Sequence, residues 1–218
     1  AAFGSKKDMK AENKRGRPRK FDEDITLDRI MLVFWQHGYA ATTLDQIAEA
    51  TGLNRPSLYA AFGSKKDMYL KVISRFADQM QAHLKAAGQT KTGLKPRLKA
   101  IMTAAIDLYC GRSTFGDAAY GCLAISTLTT EAADDPDFRS MLAHVVERMD
   151  RGFAGLIYAE MKDSVPEASV QFAAQHLSLM LHGLSVRARA GESRDILVEL
   201  AEAAVDRLVP DPASAPVM

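Results

Sequence analysis

Cysteine pairs, metal-spaced histidines, phosphate loops and long apolar runs are what this 218-residue chain lacks. Only Cys110 and Cys122 occur, so a disulfide framework is not its source of stability, and no paired Cys or Cys-His spacing offers a zinc site. The histidines, His37, His83, His144, His176 and His182, are scattered, with no i, i+4 pair to turn two imidazoles toward one metal. There is no glycine-rich phosphate loop and no nucleophile elbow. No catalytic constellation and no cofactor are therefore expected, and the chain is not read as an enzyme. No apolar run is long enough to cross a bilayer and no apolar leader of signal-peptide type is seen, so the expectation is a soluble, cytoplasmic protein with no membrane partner. Strand-like alternation of useful length is also missing, which makes the expected fold all-α.

What is present is enough apolar material, 47% of residues, for a buried core. The 28 Lys and Arg almost cancel the 27 Asp and Glu, so total charge does not single out a polyanionic partner. Its distribution is more informative. Residues 10–20, KAENKRGRPRK, hold six basic residues against one acidic, whereas Glu131 to Asp137 holds four acidic and no basic residues. Residues 1–9 repeat residues 60–68 letter for letter with no wider repeat around them; this first copy is set aside as an artefact.

The chain is organised around Thr42 to Met68, TTLDQIAEATGLNRPSLYAAFGSKKDM, two short helices, a tight turn and the capped start of a third. Thr43 and Gln46 have capping-box spacing. Leu44, Ile47 and Ala48 share one face, and Gly52 falls where a helix exit needs a left-handed residue. Leu53 is expected to point back into the core. Asn54 is a good N-cap, and Pro56 sits in the first turn, where its missing N–H has no partner to lose. Leu58 and Phe62 form the buried side, leaving Asn54, Arg55, Ser57 and Tyr59 on the outer, N-terminal part, where a recognition helix meets the major groove. Arg55 is suited to a guanine edge and Ser57 is less selective. Ser64 and Asp67 cap the next helix, with Lys65 and Lys66 at its start, where lysines suit phosphates better than the helix dipole. The competing reading is a helical hairpin for protein contacts with solvated charges.

From Phe34 to Leu70 the string FWQHGYAATTLDQIAEATGLNRPSLYAAFGSKKDMYL closely resembles the DNA-binding domain of the TetR family of transcriptional regulators. The aromatic-x-x-x-Gly-Tyr, Thr-Thr, Ile-Ala-x-x-x-Gly, Leu-Tyr and Phe-Gly-Ser-Lys elements occur in order and spacing. The resemblance implies that Thr43, Tyr59 and Lys65 touch phosphates and that Arg55, Pro56 and Ser57 face bases. It also implies a ligand-responsive regulator, more often a repressor, that binds a palindromic double-stranded DNA operator as a homodimer and is released by a small molecule. Upstream, the arm at residues 10–21 contains Arg15 and Arg17 in a Gly- and Pro-interrupted run suited to an A·T-rich minor groove. A solvated tail is the alternative.

Residues 22–69 are read as the helix-turn-helix domain. Its scaffold helix runs from Asp22 to His37, ends at Gly38 with Tyr39 packing over the exit, and places Trp35 in the core. Residues 70–209 are read as a helical ligand-binding and dimerisation domain, and 210–218 as a disordered tail. The helix from Lys65 is expected to reach about Ala87, followed by a polar linker from Gly88 to Gly93 and a helix that opens near Pro96. Gly111 to Gly121 reads as loop or broken helix, then helices follow over Leu123–Thr130, Phe138–Met161, Val170–Val186 and a final stripe from Ile196 to Val209. The last two carry more apolar surface than one small domain hides, as a four-helix dimer interface requires; a charge at Leu181 or Leu200 is expected to break association or folding.

The family resemblance implies a small-molecule pocket in this second region, with Tyr109, Phe115, Tyr120, Cys122, Met149, Phe153, His176 and Met180 as candidate lining; each also reads as a core residue. Cys122 follows Gly121 at a helix start, where free N–H groups favour a thiolate. Gly-Cys-Leu at 121–123 resembles the string around sensor cysteines of some family members, against the plain alternative of an inert, buried thiol.

Overall fold

Helix starts in this chain are written locally. Asp22, Thr43, Asn54, Ser64 and Ser193 each accept a backbone N–H of the first turn through the side chain, satisfying donors that a helix leaves orphaned. The computed structural model describes residues 21–161 and 164–209, which form α1 (Glu23–Ala41), α2 (Leu44–Thr51), α3 (Arg55–Phe62), α4 (Lys65–Gln89), α5 (Leu94–Tyr109), α6 (Leu123–Glu131), α7 (Pro136–Met161), α8 (Glu167–Arg189) and α9 (Arg194–Leu208). Among the described residues the only extended pairing is an isolated bridge between Ser113 and Gly116. The fold is all-α. The nine-residue copy, Arg15 and Arg17 of the basic arm, and the tail at 210–218 lie outside the described residues.

α1 breaks at Gly38, whose backbone is non-helical (φ 76°, ψ 176°), and a last turn then runs to Ala41. Tyr39 covers that exit, its ring 5.0 Å from Tyr69 and 4.9 Å from Phe138. Trp35 is buried and meets the edge of Phe76 at 5.1 Å. The boundary read between residues 69 and 70 falls inside α4, which packs on α1 in the head and on α5 in the body. The buried apolar cluster is continuous from Ile30 and Ile47 through Tyr69 and Phe76 to Leu177 and Val205.

α4 continues past the expected linker start: Gly88 is buried inside it, and a Cβ there would stand 3.0 Å from Ile101 Cδ1. Glycine is thus used for close packing of α4 on α5, which a local reading takes for a chain break. α5 and α8 pack on α9, α7 packs on α8, and α6 lies against α1, α7 and α8. The 110–122 loop is pinned at its end. Cys122 N–H donates to Ser185 Oγ at 2.7 Å, and Gly121 (φ 69°) passes so near α8 that a Cβ would stand 2.6 Å from the Ser185 carbonyl oxygen.

Candidate nucleic-acid interface

The head is held by its turns. Thr43 and Gln46 complete the capping box, Gly52 takes the left-handed conformation (φ 71°), and Leu53 is half-buried against the core. Asn54 Oδ1 accepts Ser57 N–H at 2.9 Å. α3 buries Leu58 and Phe62 and exposes Arg55, Pro56 and Tyr59, with Ser57 half-buried beside them. This is a short helix with its N-terminal end free and its opposite face anchored. Such an end offers side chains to a polyanion, while Ser57 and Leu58 N–H are already bonded to Asn54 and Pro56 has none.

Arg55 is not loose. Its Nε and Nη2 donate to Asp45 Oδ1 at 3.0 and 2.6 Å, which ties α3 to α2 and raises the guanidinium pKa further through that hydrogen bond. Reading the sequence did not single out Asp45; its only local sign is a carboxylate in the first turn of α2, which helix dipoles favour in any case.

The two lysines at the start of α4 have partners that spacing did not disclose. Lys65 Nζ donates to the carbonyls of Tyr39 at 3.0 Å and Thr42 at 2.9 Å and lies 4.5 Å from the Tyr39 ring centroid. It closes the end of α1 in this conformation. Lys66 bridges Asp135 at 2.8 Å and Asp137 at 2.7 Å, and those hydrogen bonds hold its pKa well above the ordinary lysine range. Asp135 also accepts Asp137 and Phe138 N–H at the start of α7. Among the described residues no acidic cluster forms a metal site. The reading of Lys66 as a phosphate-facing lysine is therefore corrected: tertiary folding delivers two carboxylates from about seventy positions away.

Behind α4 lies a cavity of about 260 Å³. Of the eight candidate residues, Tyr109, Cys122, Met149 and Phe153 line it, whereas Phe115, Tyr120, His176 and Met180 do not. Phe115 packs outside it on Phe76 and His83. Tyr120 faces Arg189, 5.8 Å from its ring, and its carbonyl accepts from the same guanidinium at 2.9 Å. His176 Nδ1 donates to the Phe172 carbonyl at 2.7 Å and its ring lies tilted against the Phe172 ring, while Met180 is half-buried against the core. The reason is helix phase: α8 turns Leu177, Leu181 and Leu184 inward, and His182 is its residue on the cavity wall. Burial pushes the His182 pKa down, with Asp150 opposing.

The expected acidity of Cys122 is reversed. Burial pushes its thiol up to about 11 although backbone N–H groups of Ala124 and Ile125 pull the other way. Desolvation of a thiolate outweighs two dipoles. Burial also raises Cys110, against the nearby Arg112.

Comparisons with known proteins agree with this geometry. A family model described as "Bacterial regulatory proteins, tetR family" matches residues 27–72. The HTH-type transcriptional repressor ComR of Escherichia coli is 32% identical over 86% of this chain and 89% of its own length, and the repressor BdcR of the same organism is 26% identical over 82% and 84%. Among solved structures, a cysteine mutant of the TetR family transcriptional regulator CifR, complexed with 26-base-pair operator DNA, superimposes with a TM-score of 0.77 at 25% identity, over 88% of this chain and 99% of that one. No described helix is long and apolar enough to cross a membrane. An anchored helix-turn-helix, the matching family model and a repressor relative aligned along most of both chains lead to one conclusion: this protein belongs to the TetR family of DNA-binding transcriptional regulators.

Proposed function

We propose that the protein is a repressor that binds a palindromic operator as a homodimer and lets go when a small molecule enters the cavity behind α4. The observation that carries this reading is α4 itself: one unbroken helix whose first residue, Lys65, bonds the Tyr39 and Thr42 carbonyls in the head and whose later turns, at Phe76, Met80 and Leu84, wall the cavity. A ligand that reshapes that wall acts on the same rigid element that sets the head. ComR and BdcR are named repressors and CifR was solved on operator DNA, which supports the same assignment here.

In this proposal Arg55, Pro56 and Ser57 face bases while Thr43 and Tyr59 meet phosphates. Lys65 joins them by keeping its ammonium at the α1 end or by turning from those carbonyls to a phosphate. Residues 22–69 serve as the DNA-binding unit and 70–209 as the ligand and dimer unit. Support for pairing comes from α8, where Phe172, Leu179 and Val186 recur at seven-residue intervals and are 55%, 64% and 61% exposed, with exposed Ile196 and Leu200 on neighbouring α9. One side of a helix with that apolar spacing is suited to a second copy of itself. The test is selection of bound duplexes from a random pool, followed by affinity against salt. Inverted half-sites about one helical turn or somewhat more apart, and affinity falling steeply with salt, are expected. Equal, salt-insensitive binding to all duplexes defeats the proposal and favours a helical module for protein contacts.

A further inference from the structure

Among the described residues the cavity wall carries three cations and no carboxylate. Lys85 on α4, Arg97 on α5 and Arg148 on α7 all line it. Arg97 donates to Glu160 at 3.0 Å and Arg148 to Asp78 at 2.9 Å, both carboxylates lying outside the lining. These pairs orient the two guanidinium groups and leave other N–H donors on each. Lys85 is exposed and has no ion-pair partner among the described residues. Beyond these charges the wall is mainly apolar, with Phe76, Met80, Leu84, Ile101, Phe153 and Leu156.

A second observation comes from the other end of α5. Tyr109 lies twelve residues after Arg97, about 18 Å along a helix rising 1.5 Å per residue. It lines the cavity, is 1% exposed, and its hydroxyl has no hydrogen-bond partner among the described residues. Among the described residues the fully buried side-chain polar atoms without a partner are Trp35 Nε1 and Ser178 Oγ, so the Tyr109 hydroxyl still opens onto the cavity, where a ligand oxygen can meet it. The cavity therefore offers cations, an apolar length and a neutral hydroxyl at the Tyr109 end.

We propose that it binds an elongated organic acid: the carboxylate meets Lys85, Arg97 and Arg148, the apolar body lies along Phe76, Met80, Leu84 and Phe153, and an oxygen at the far end meets Tyr109. This rests on the reading of the cavity as the effector site. A cationic ligand meets the Lys85 ammonium and two guanidinium groups whose carboxylate partners lie behind them, and a strongly polar body loses its hydration against apolar side chains.

Calorimetric titration with decanoate, 10-hydroxydecanoate, decanol and decylamine, below the concentrations at which they aggregate, tests it, with operator affinity measured in parallel. Both acids are expected to bind and to weaken operator binding, the hydroxy acid about fivefold tighter, with decanol and decylamine roughly tenfold weaker than decanoate. Lys85→Gln changes an exposed, unpaired side chain and is expected to weaken both acids about fivefold. Tyr109→Phe is expected to abolish only the advantage of the hydroxy acid. Decanol or decylamine binding as tightly as decanoate overturns the acid while leaving the cavity as an effector site. So does unchanged acid affinity in Lys85→Gln. If no probe binds a protein that still holds operator DNA, the effector reading falls together with the proposal.

Discussion

Two N–H groups of Arg55 close on a single oxygen of Asp45, so the side chain best suited to a base edge is oriented before any DNA arrives. Preorganisation of this kind affects discrimination more than stability, because an exposed ion pair contributes little to folding. Arg55→Ala is therefore expected to relax base preference by about 1–3 kcal/mol at one operator position. Asp45→Ala is expected to relax it in the same position by less, and the double variant to be no worse than Arg55→Ala alone. Affinities for the operator and single-base variants measure all three. Independent, additive effects would show that Asp45 does not act through Arg55. At Cys122 the residue-scale balance also differs from the local signal. Its pKa is raised to about 11 by burial, so between an unfolded thiol value of about 8.5 and that folded value the unfolded state loses a proton that the native state keeps. Stability should be unaffected by this group below that window and decline through it by at most about 1.4 kcal/mol per pH unit. Urea midpoints from pH 8 to pH 11 in the natural protein and in Cys122→Ala check this; the same decline in both assigns it to other groups.

Elements were legible to the degree that their ends are local events. The caps at Thr43, Asn54 and Ser64 lie within three residues of the N–H groups they satisfy, so spacing alone discloses them. Gly88 and Gly121 are different. Each admits a neighbouring helix, α5 in one case and α8 in the other, and a glycine that admits a partner looks in sequence like one that ends a helix. Gly121→Ala adds a Cβ 2.6 Å from the Ser185 oxygen in a left-handed conformation, with backbone strain alone costing about 1–2 kcal/mol. The expected loss is roughly 2 kcal/mol or more, measured by denaturation. Gly152→Ala on α7, where nothing lies within 4 Å of the added atom, is expected to be neutral or mildly stabilising as a helix substitution. Similar losses at both positions would remove the close-approach explanation.

At the scale of the molecule, α8 has two apolar sides, one buried in the protomer and one exposed. Leu181 is fully buried within its own protomer, whereas Leu179 is 64% exposed. The expectation that a charge at Leu181 breaks association or folding narrows to folding, because that position lies in the protomer's core, and pairing is probed two residues away at Leu179. Leu179→Glu should leave helix content intact and shift sedimentation to the monomer, with operator affinity falling as pairing is lost. Leu181→Glu should unfold the chain, since an unpaired buried charge costs several kcal/mol. A Leu179→Glu protein that sediments as a dimer places the interface elsewhere. The Lys66 bridge to Asp135 and Asp137 acts on the same scale, joining the start of α4 to the start of α7.

The sequence by itself determined the helical class, the caps and turn of the recognition unit, the side of α3 that is buried, and the family, because each rests on interactions or motifs spanning a few consecutive residues. Tertiary structure decided the partners of Lys65 and Lys66, the link from Asp45 to Arg55, which four of eight candidate residues reach the cavity, and the protonation of Cys122. These depend on which distant segments meet and on how much water their meeting excludes. Charge partners and desolvation are set by distance in space, and a one-dimensional pattern carries distance only along the chain.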